Sequence, residues 1–206
     1  MPNKLRINPD RMLVTFNELA QIGATVDGGV NRPTFSEAHL AARKWFRDQI
    51  ENSGLEFRTD GAGNHSARLA YGPKDAPTLL LGSHLDSVPN GGRFDGALGV
   101  VSALEVLRTV KDAGLRLKVQ LEAIDFTDEE GTLVGLLGSA AIAGHLHPEL
   151  LRNPRGGRQA SDAHRRGHKA RRRSRCRGLG SARDGLRFVG PSPRREEEEP
   201  PSQGRG

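Results

Sequence analysis

The first quarter of the chain places its apolar residues at the spacing of helices. Residues 8–22 repeat apolar side chains on one face, with Pro9 in the first turn and a stop at Gly23. Residues 37–52 repeat the pattern directly behind Ser36, a residue type that caps helices. The pattern therefore predicts two helices before any strand.

Shorter apolar runs follow and predict strands around one further helix. Segments 55–60 and 65–70 flank the turn sequence DGAGN, which indicates a β-hairpin. The run TLLLG at 78–82 is uninterrupted, as is typical of a strand buried on both faces. Helical spacing returns at 98–113, and 117–126 follow as another strand.

The order strand, helix, strand between residues 78 and 126 predicts the fold class. Such a unit is usually a right-handed crossover in a parallel sheet with helices on its faces. We therefore expect an α/β fold built on a partial doubly wound sheet, with a further helix beginning near Ser139.

Composition divides the chain at residue 152. Residues 1–151 carry a net charge of −4, whereas residues 152–206 carry +10, with 15 arginines and one lysine. The second segment contains four Leu, Ile, Val or Phe residues, too few to build a core. We predict a domain at 1–151 and a disordered tail at 152–206. The bias of Arg over Lys suggests the hypothesis that this tail is translated from a shifted reading frame.

Several classes of protein are disfavoured by what the sequence lacks. The single cysteine, Cys176, cannot form an intrachain disulfide, and there is no CxxC pair for a zinc finger. No apolar run reaches the roughly 18 residues of a membrane span, and the opening residues do not read as a signal peptide. Phosphate-binding glycine motifs and the GxSxG elbow are missing too. We expect a soluble, cytoplasmic protein without a membrane partner.

Imidazole and carboxylate residues follow both predicted central strands. His84 and Asp86 come after TLLLG, and Glu129 and Glu130 come after the strand at 117–126. The carboxyl ends of parallel strands form the ligand crevice of open sheets. A carboxylate beside a histidine fixes its tautomer, and paired carboxylates near a cation divide metal binding from proton transfer. The plainer interpretation is a solvated strand end and a solvated turn.

A third acidic position precedes the predicted helix at 98–113. Asp95 stands in the glycine-rich stretch PNGGRFDGALG, where a carboxylate either caps the helix or binds a metal. Asp125 and Asp128 make the second strand end still more negative, which favours a cation.

Two longer segments resemble the hydantoinase/carbamoylase family of amidases. They are GSHLDSVPNGGRFDGALGV at 82–100 and DFTDEEGTLVGLLGSAAIAG at 125–144. Further similarity lies in INPDRMLVTFNELAQIGAT, in GGVNR at 28–32 and in DGAGN at 60–64, so that it covers nearly all of residues 5–151. This family includes N-carbamoyl-L-amino-acid hydrolases and allantoate amidohydrolases, within a clan of two-zinc aminoacylases and carboxypeptidases. The resemblance implies hydrolysis of linear amide or ureido C–N bonds in small N-carbamoyl or ureido substrates.

The resemblance also implies a role for each candidate site residue. His84 would bind the first of two divalent metal ions, Glu130 would bind the second, and Asp95 would bridge both. Asp86 would orient His84, and Glu129 would be the general base that takes a proton from the attacking water. Imidazole and carboxylate ligands suit zinc, and manganese, cobalt or nickel also accept them.

The resemblance implies further parts that this chain does not match. Members of the family are homodimers, and they continue into a smaller dimerisation domain and supply two more histidine ligands. His145 and His147 lack the sequence context of those ligands. We therefore interpret residues 1–151 as the N-terminal part of a catalytic domain, and we predict weak metal binding and little hydrolase activity for this chain alone.

Two other functions stay open at this point. The arginine-rich tail favours nonspecific, salt-dependent nucleic-acid binding, although it lacks interleaved aromatic residues and carries four glutamates at 196–199. A catalytically dead relative with a binding role is the other alternative. The intact set of His84, Asp86, Asp95, Glu129 and Glu130 favours a truncated enzyme over a dead one.

Overall fold

A computed structural model describes residues 5–152. This part of the chain contains, in order, α1 (Pro9–Gln21), α2 (Glu37–Asn52), β1 (Glu56–Thr59), β2 (His65–Leu69), β3 (Thr78–His84), α3 (Ala97–Asp112), β4 (Gln120–Phe126), α4 (Leu137–Ile142) and α5 (Pro148–Arg152). No helix among these is long and apolar enough to cross a membrane. The predicted disordered tail, its nucleic-acid binding and Cys176 lie outside the described residues, apart from Arg152 at the end of α5.

The first two helices begin where their capping residues stand. The Asn8 side chain accepts a hydrogen bond from the Arg11 N–H, and Pro9 takes the first helical position, where its missing N–H costs nothing. The Ser36 hydroxyl accepts from the His39 N–H at the start of α2. The predictions at 8–22 and 37–52 are confirmed to within one residue at each end.

The four strands form one mixed sheet in the order β1-β2-β4-β3. The strands β1 and β2 are antiparallel, which confirms the predicted hairpin, and β2 pairs antiparallel with β4. The strands β3 and β4 are parallel, with α3 as the connection between them. This strand-helix-strand unit confirms the α/β fold class.

The prediction that β3 is buried on both faces is wrong. Leu79 is 44% exposed, and only His84 at the end of the strand is buried. In the part of the chain that the structure describes, β3 is the last strand of the sheet and pairs with β4 alone. The helix α3 packs closely against it, with Gly99 beside Ser83. The apolar run therefore predicts the strand correctly, but the helix α3 closely covers one face of this strand and not both.

One apolar core lies between the sheet and the first three helices. Ala67 and Leu69 of β2 are the cross-strand neighbours of Ala123 and Leu121 of β4, and all four side chains are buried. The helices complete this core with Phe16, Leu19, Ala42, Phe46, Ile50, Val100, Leu104 and Leu107. Burying a side chain of this size contributes roughly 1.5–3 kcal/mol. The core fixes the carboxyl ends of β3 and β4, which carry the candidate site.

The last two helices are short. The helix α4 begins at Leu137, two residues before the predicted start. The helix α5, at Pro148–Arg152, was not predicted, and it runs across the boundary placed at residue 152.

Candidate metal centre

The parallel pairing of β3 and β4 brings the candidate residues together. His84 ends β3 and is paired in register with Phe126, so the loop that follows Phe126 lies beside it. His84 Nε2 is 3.5 Å from Glu129 Oε2 and 3.8 Å from Asp95 Oδ1. Donor atoms of His84, Asp95 and Glu130 all lie within 4.8 Å of one another. One imidazole and three carboxylates thus converge, which is a donor set for a divalent cation.

Asp95 does not cap the helix that follows it. The capping position of α3 is Gly96, and no side chain makes a capping hydrogen bond there. The Asp95 carboxylate is 63% exposed and faces His84. Of the two interpretations of this residue, the geometry therefore favours the metal ligand.

Gly96 is required by its contact with His84. Its φ of +61° lies in the left-handed region, and a Cβ added there would stand 2.5 Å from both Cε1 and the carbonyl oxygen of His84. No larger residue fits between the start of α3 and the imidazole. The glycine-rich stretch around Asp95 therefore allows α3 to begin against the site.

The Asp86 carboxylate binds the loop that carries Glu129 and Glu130. Its two oxygens accept hydrogen bonds from the Thr34 hydroxyl at 2.9 Å, the Glu130 N–H at 3.1 Å and the Glu129 N–H at 3.3 Å. The distance from the carboxylate to His84 Nδ1 is 3.6 Å, and the closer contact to this nitrogen, at 3.0 Å, is the Asp86 carbonyl oxygen. A carbonyl oxygen can only accept, so Nδ1 carries the proton, and in the neutral ring Nε2 faces the carboxylates as a free ligand.

The charges of the site shift the pKa values of its members. Burial would lower the pKa of His84, but Asp86 and Glu129 raise it to about 9. Burial would raise the pKa of Asp86, but His84 and the donors of Glu130 and Thr34 lower it to about 2. The pKa of Glu130 is raised by burial and by the neighbouring Asp95 and Glu129. This cluster is rich in negative charge, and a cation must displace the proton from His84 to bind there.

Asp125 and Asp128 both have hydrogen-bond partners in the protein interior. Both are fully buried. Asp128 has a left-handed backbone and accepts three N–H bonds, from Leu133, Val134 and Gly135. Asp125 accepts the Leu85 N–H at 2.8 Å and forms an ion pair with Arg43. That these two carboxylates add to the attraction for a cation stays a prediction.

Three buried basic residues near the site were not predicted from the sequence: Arg32, His39 and Arg43. Arg32, in GGVNR, donates to the carbonyl oxygens of Leu85 and Ile22. His39 accepts the Phe35 N–H on Nδ1, and burial, then Arg43, lowers its pKa well below the usual value. For His39 and Arg43 the available signal was helical spacing, because positions 39, 43, 46 and 50 share the buried face of α2.

The two histidines considered as substitute ligands lie elsewhere. His145 and His147 follow α4, and neither belongs to the group of close metal-binding donors found in residues 5–152.

Comparisons with known proteins agree on one kind of relative. Residues 64–154 match the sequence model of peptidase family M28. The N-carbamoyl-L-amino acid amidohydrolase of Geobacillus stearothermophilus is 40% identical over 147 residues, which cover 70% of this chain and 36% of that protein. The allantoate amidohydrolase of Bacillus subtilis is 34% identical over 139 residues, which cover 66% of this chain and 34% of that protein.

A solved structure of an amidase is also similar to this chain. The hydantoinase/carbamoylase family amidase from Burkholderia ambifaria superposes with a TM-score of 0.71 at 36% sequence identity, covering 75% of this chain and 39% of that one. The chain spans about a third of the length of the curated relatives it matches.

Proposed function

Because the chain belongs to the hydantoinase/carbamoylase family of amidases, we propose that it takes part in metal-dependent hydrolysis of linear amide or ureido C–N bonds. The observation that carries the proposal is the convergence of His84, Asp95 and Glu130. These residues come from the end of β3, the approach to α3 and the loop after β4. The carboxyl ends of parallel strands are where open α/β sheets bind their ligands.

The residues fit a divalent cation by their chemistry. One imidazole nitrogen and two carboxylates are ligands that zinc accepts, as do manganese, cobalt and nickel. We propose that His84, Asp95 and Glu130 would hold the two divalent ions that the family resemblance implies. When bound, such ions lower the pKa of a water molecule and polarise the substrate carbonyl. The three donors found within residues 5–152 are fewer than two ions ordinarily take, so we expect weak binding and slow turnover.

Glu129 is the proposed general base. Its side chain is 35% exposed, so water and substrate can reach it, and its Oε2 lies beside the His84 imidazole. A carboxylate in this position can accept the proton of the attacking water and pass it to the leaving nitrogen. The hydrogen bond from the Glu129 N–H to Asp86 fixes the backbone that carries it.

The proposed substrates carry a ureido group. The names of two relatives specify N-carbamoyl-L-amino acids and allantoate. Both types of compound have a ureido carbonyl that is attacked by water with release of a nitrogen leaving group. We propose this class of compound, without choosing one member, as the substrate of the site.

The test is metal-dependent ammonia release by the full chain. N-carbamoyl-L-amino acids and allantoate are assayed separately, with zinc, manganese, cobalt or nickel. Glu129→Gln is expected to lower the rate by about 100-fold or more, because it removes the proton acceptor. Glu149→Gln is the matched control, since Glu149 is exposed on α5, away from the cluster. A folded wild-type chain that hydrolyses none of these compounds with any metal, or an active Glu129→Gln variant, would contradict the proposal.

A further inference from the structure

A buried ion pair lies near the end of β4. Arg43 of α2 is 4% exposed and Asp125 of β4 is fully buried, and Arg43 Nε lies 2.9 Å from Asp125 Oδ2. Neither residue is one of the candidate metal ligands. Two charges removed from water in this way are costly unless they pair closely and satisfy other groups.

The same guanidinium contacts three parts of the chain. Its Nη1 donates to the Gly63 carbonyl oxygen in the hairpin turn, and its Nη2 donates to the Thr127 hydroxyl. Both distances are 2.8 Å. Thr127 is the first residue after β4, two positions before Glu129. The fork of Arg43 therefore holds the start of the loop that carries both glutamates.

The carboxylate of the pair reaches the other strand end. Asp125 Oδ1 accepts the Leu85 N–H at 2.8 Å. Leu85 stands between His84, a candidate ligand, and Asp86, which accepts the Glu129 and Glu130 N–H groups. A single pair thus connects both segments that carry the site, the one after β3 and the one after β4.

We infer that the Arg43–Asp125 pair positions the two segments that carry the candidate metal ligands. The inference rests on the proposed function where it concerns metal binding, and on the hydrogen bonds alone where it concerns the two segments. Burial raises the pKa of Asp125, to about 6 with Arg43 opposing the rise, so the charge of this carboxylate depends on its partner. Without the guanidinium, the buried Asp125 carboxylate is expected to take up a proton more readily. The Thr127 hydroxyl also loses the hydrogen bond that Arg43 donates to it.

A merely stabilising pair would behave differently from a positioning pair. It would protect all parts of the fold equally, whereas a positioning pair acts first on the segments that it holds. The chain offers a matched control in Arg11, which pairs with the buried Glu105 at 2.8 Å between α1 and α3. Loss of Arg11 also removes the ion-pair partner of a buried carboxylate, but this carboxylate lies on α3 and not at the ends of β3 and β4.

The experiment compares Arg43→Met with Arg11→Met in the full, metal-free chain. Amide hydrogen exchange is measured by NMR at Leu85, Glu129 and Glu130, and at the buried Leu121 of β4 as a reference. We expect Arg43→Met to accelerate exchange at the first three amides relative to Leu121, and Arg11→Met to leave that ratio unchanged. A uniform acceleration in both variants would overturn the inference.

A zinc titration of the same proteins separates this inference from the proposed function. Loss of a residue that orients metal ligands typically weakens metal affinity by about 10- to 100-fold, and we expect this for Arg43→Met but not for Arg11→Met. Equal zinc affinities in the two variants would overturn the positioning role. A wild-type chain that binds no zinc would refute the proposed function, while the exchange ratios would still decide the inference. If Arg43→Met does not fold, Arg43→Lys keeps the charge, loses the fork and is compared in the same way.

Discussion

Gly96 allows His84 and α3 to approach each other more closely than any other residue would. Gly96→Ala would place a Cβ 2.5 Å from the His84 ring and force a side chain into a backbone with φ of +61°. We expect this variant to lose about 1–3 kcal/mol of unfolding free energy and to bind zinc more weakly, because the imidazole must move. Urea denaturation and a zinc titration measure the two effects.

Gly92→Ala is the control for this substitution. Nothing lies within 4 Å of a Cβ added at Gly92, and its φ is outside the left-handed region. We expect its stability and its zinc affinity to match those of the wild type. Equal behaviour of the two alanine variants would show that Gly96 is not needed to seat His84.

His65 makes the stability of the fold depend on pH. Burial, followed by the charges of Arg43 and Arg47, lowers its pKa to about 3 in the folded chain. The unfolded chain takes up this proton near pH 6.5, so stability is complete above that pH and falls as the pH drops from 6.5 towards 3.

The measurable result is a difference between two slopes. The unfolding free energy of the wild type is expected to fall by up to about 1.4 kcal/mol per pH unit more steeply than that of His65→Gln between pH 6 and pH 4. Urea denaturation at several pH values gives both slopes, and the buried His39 contributes equally to each. Parallel slopes would mean that His65 is protonated in the folded state.

Among the elements, the hairpin of β1 and β2 is bonded through Asn64 to the segment after β4 and to α4. Asn64 is 1% exposed. Its amide donates to Asp60 and to the Gly138 carbonyl oxygen, and its oxygen accepts the Thr127 N–H. A Cβ on Gly138 would stand 1.9 Å from this oxygen, so glycine is needed at the start of α4.

Asn64→Ala is expected to destabilise the chain by about 1–3 kcal/mol, because it leaves the Thr127 N–H without its acceptor. Asn17→Ala is its control, since Asn17 is exposed on α1. Urea denaturation of both variants provides the comparison. A loss below about 0.5 kcal/mol for Asn64→Ala would show that water replaces its bonds.

The helices were predictable because their ends are set locally. Asn8 and Ser36 cap them with bonds to residues three positions away, and apolar spacing marks the buried faces. The exposure of Leu79 was not predictable, because an apolar run does not reveal which strands lie at the end of a sheet. The loop at 128–136 was equally hidden, since it is held by the buried side chain of Asp128.

Across the whole molecule, the location of the candidate site followed from topology. A strand-helix-strand order places the segments after β3 and β4 at one edge, so the meeting of His84 with Glu129 and Glu130 was foreseeable. The contacts that each carboxylate makes in the structure could not be foreseen in the same way. Whether Asp125 attracts a cation or pairs with Arg43 depends on how α2 packs on the sheet, and that is a tertiary property.

The most direct test of the account is a zinc titration of the full chain by isothermal calorimetry, compared with His84→Ala. We expect the wild type to bind zinc with release of protons, since His84 must give up its own, and the variant to bind about 10-fold more weakly or worse. The control is His145→Ala, because His145 is exposed after α4. Binding that is lost with His84 and kept without His145 is the predicted result. Equal zinc binding by all three proteins, or none by the folded wild type, would contradict a metal centre formed by His84, Asp95 and Glu130.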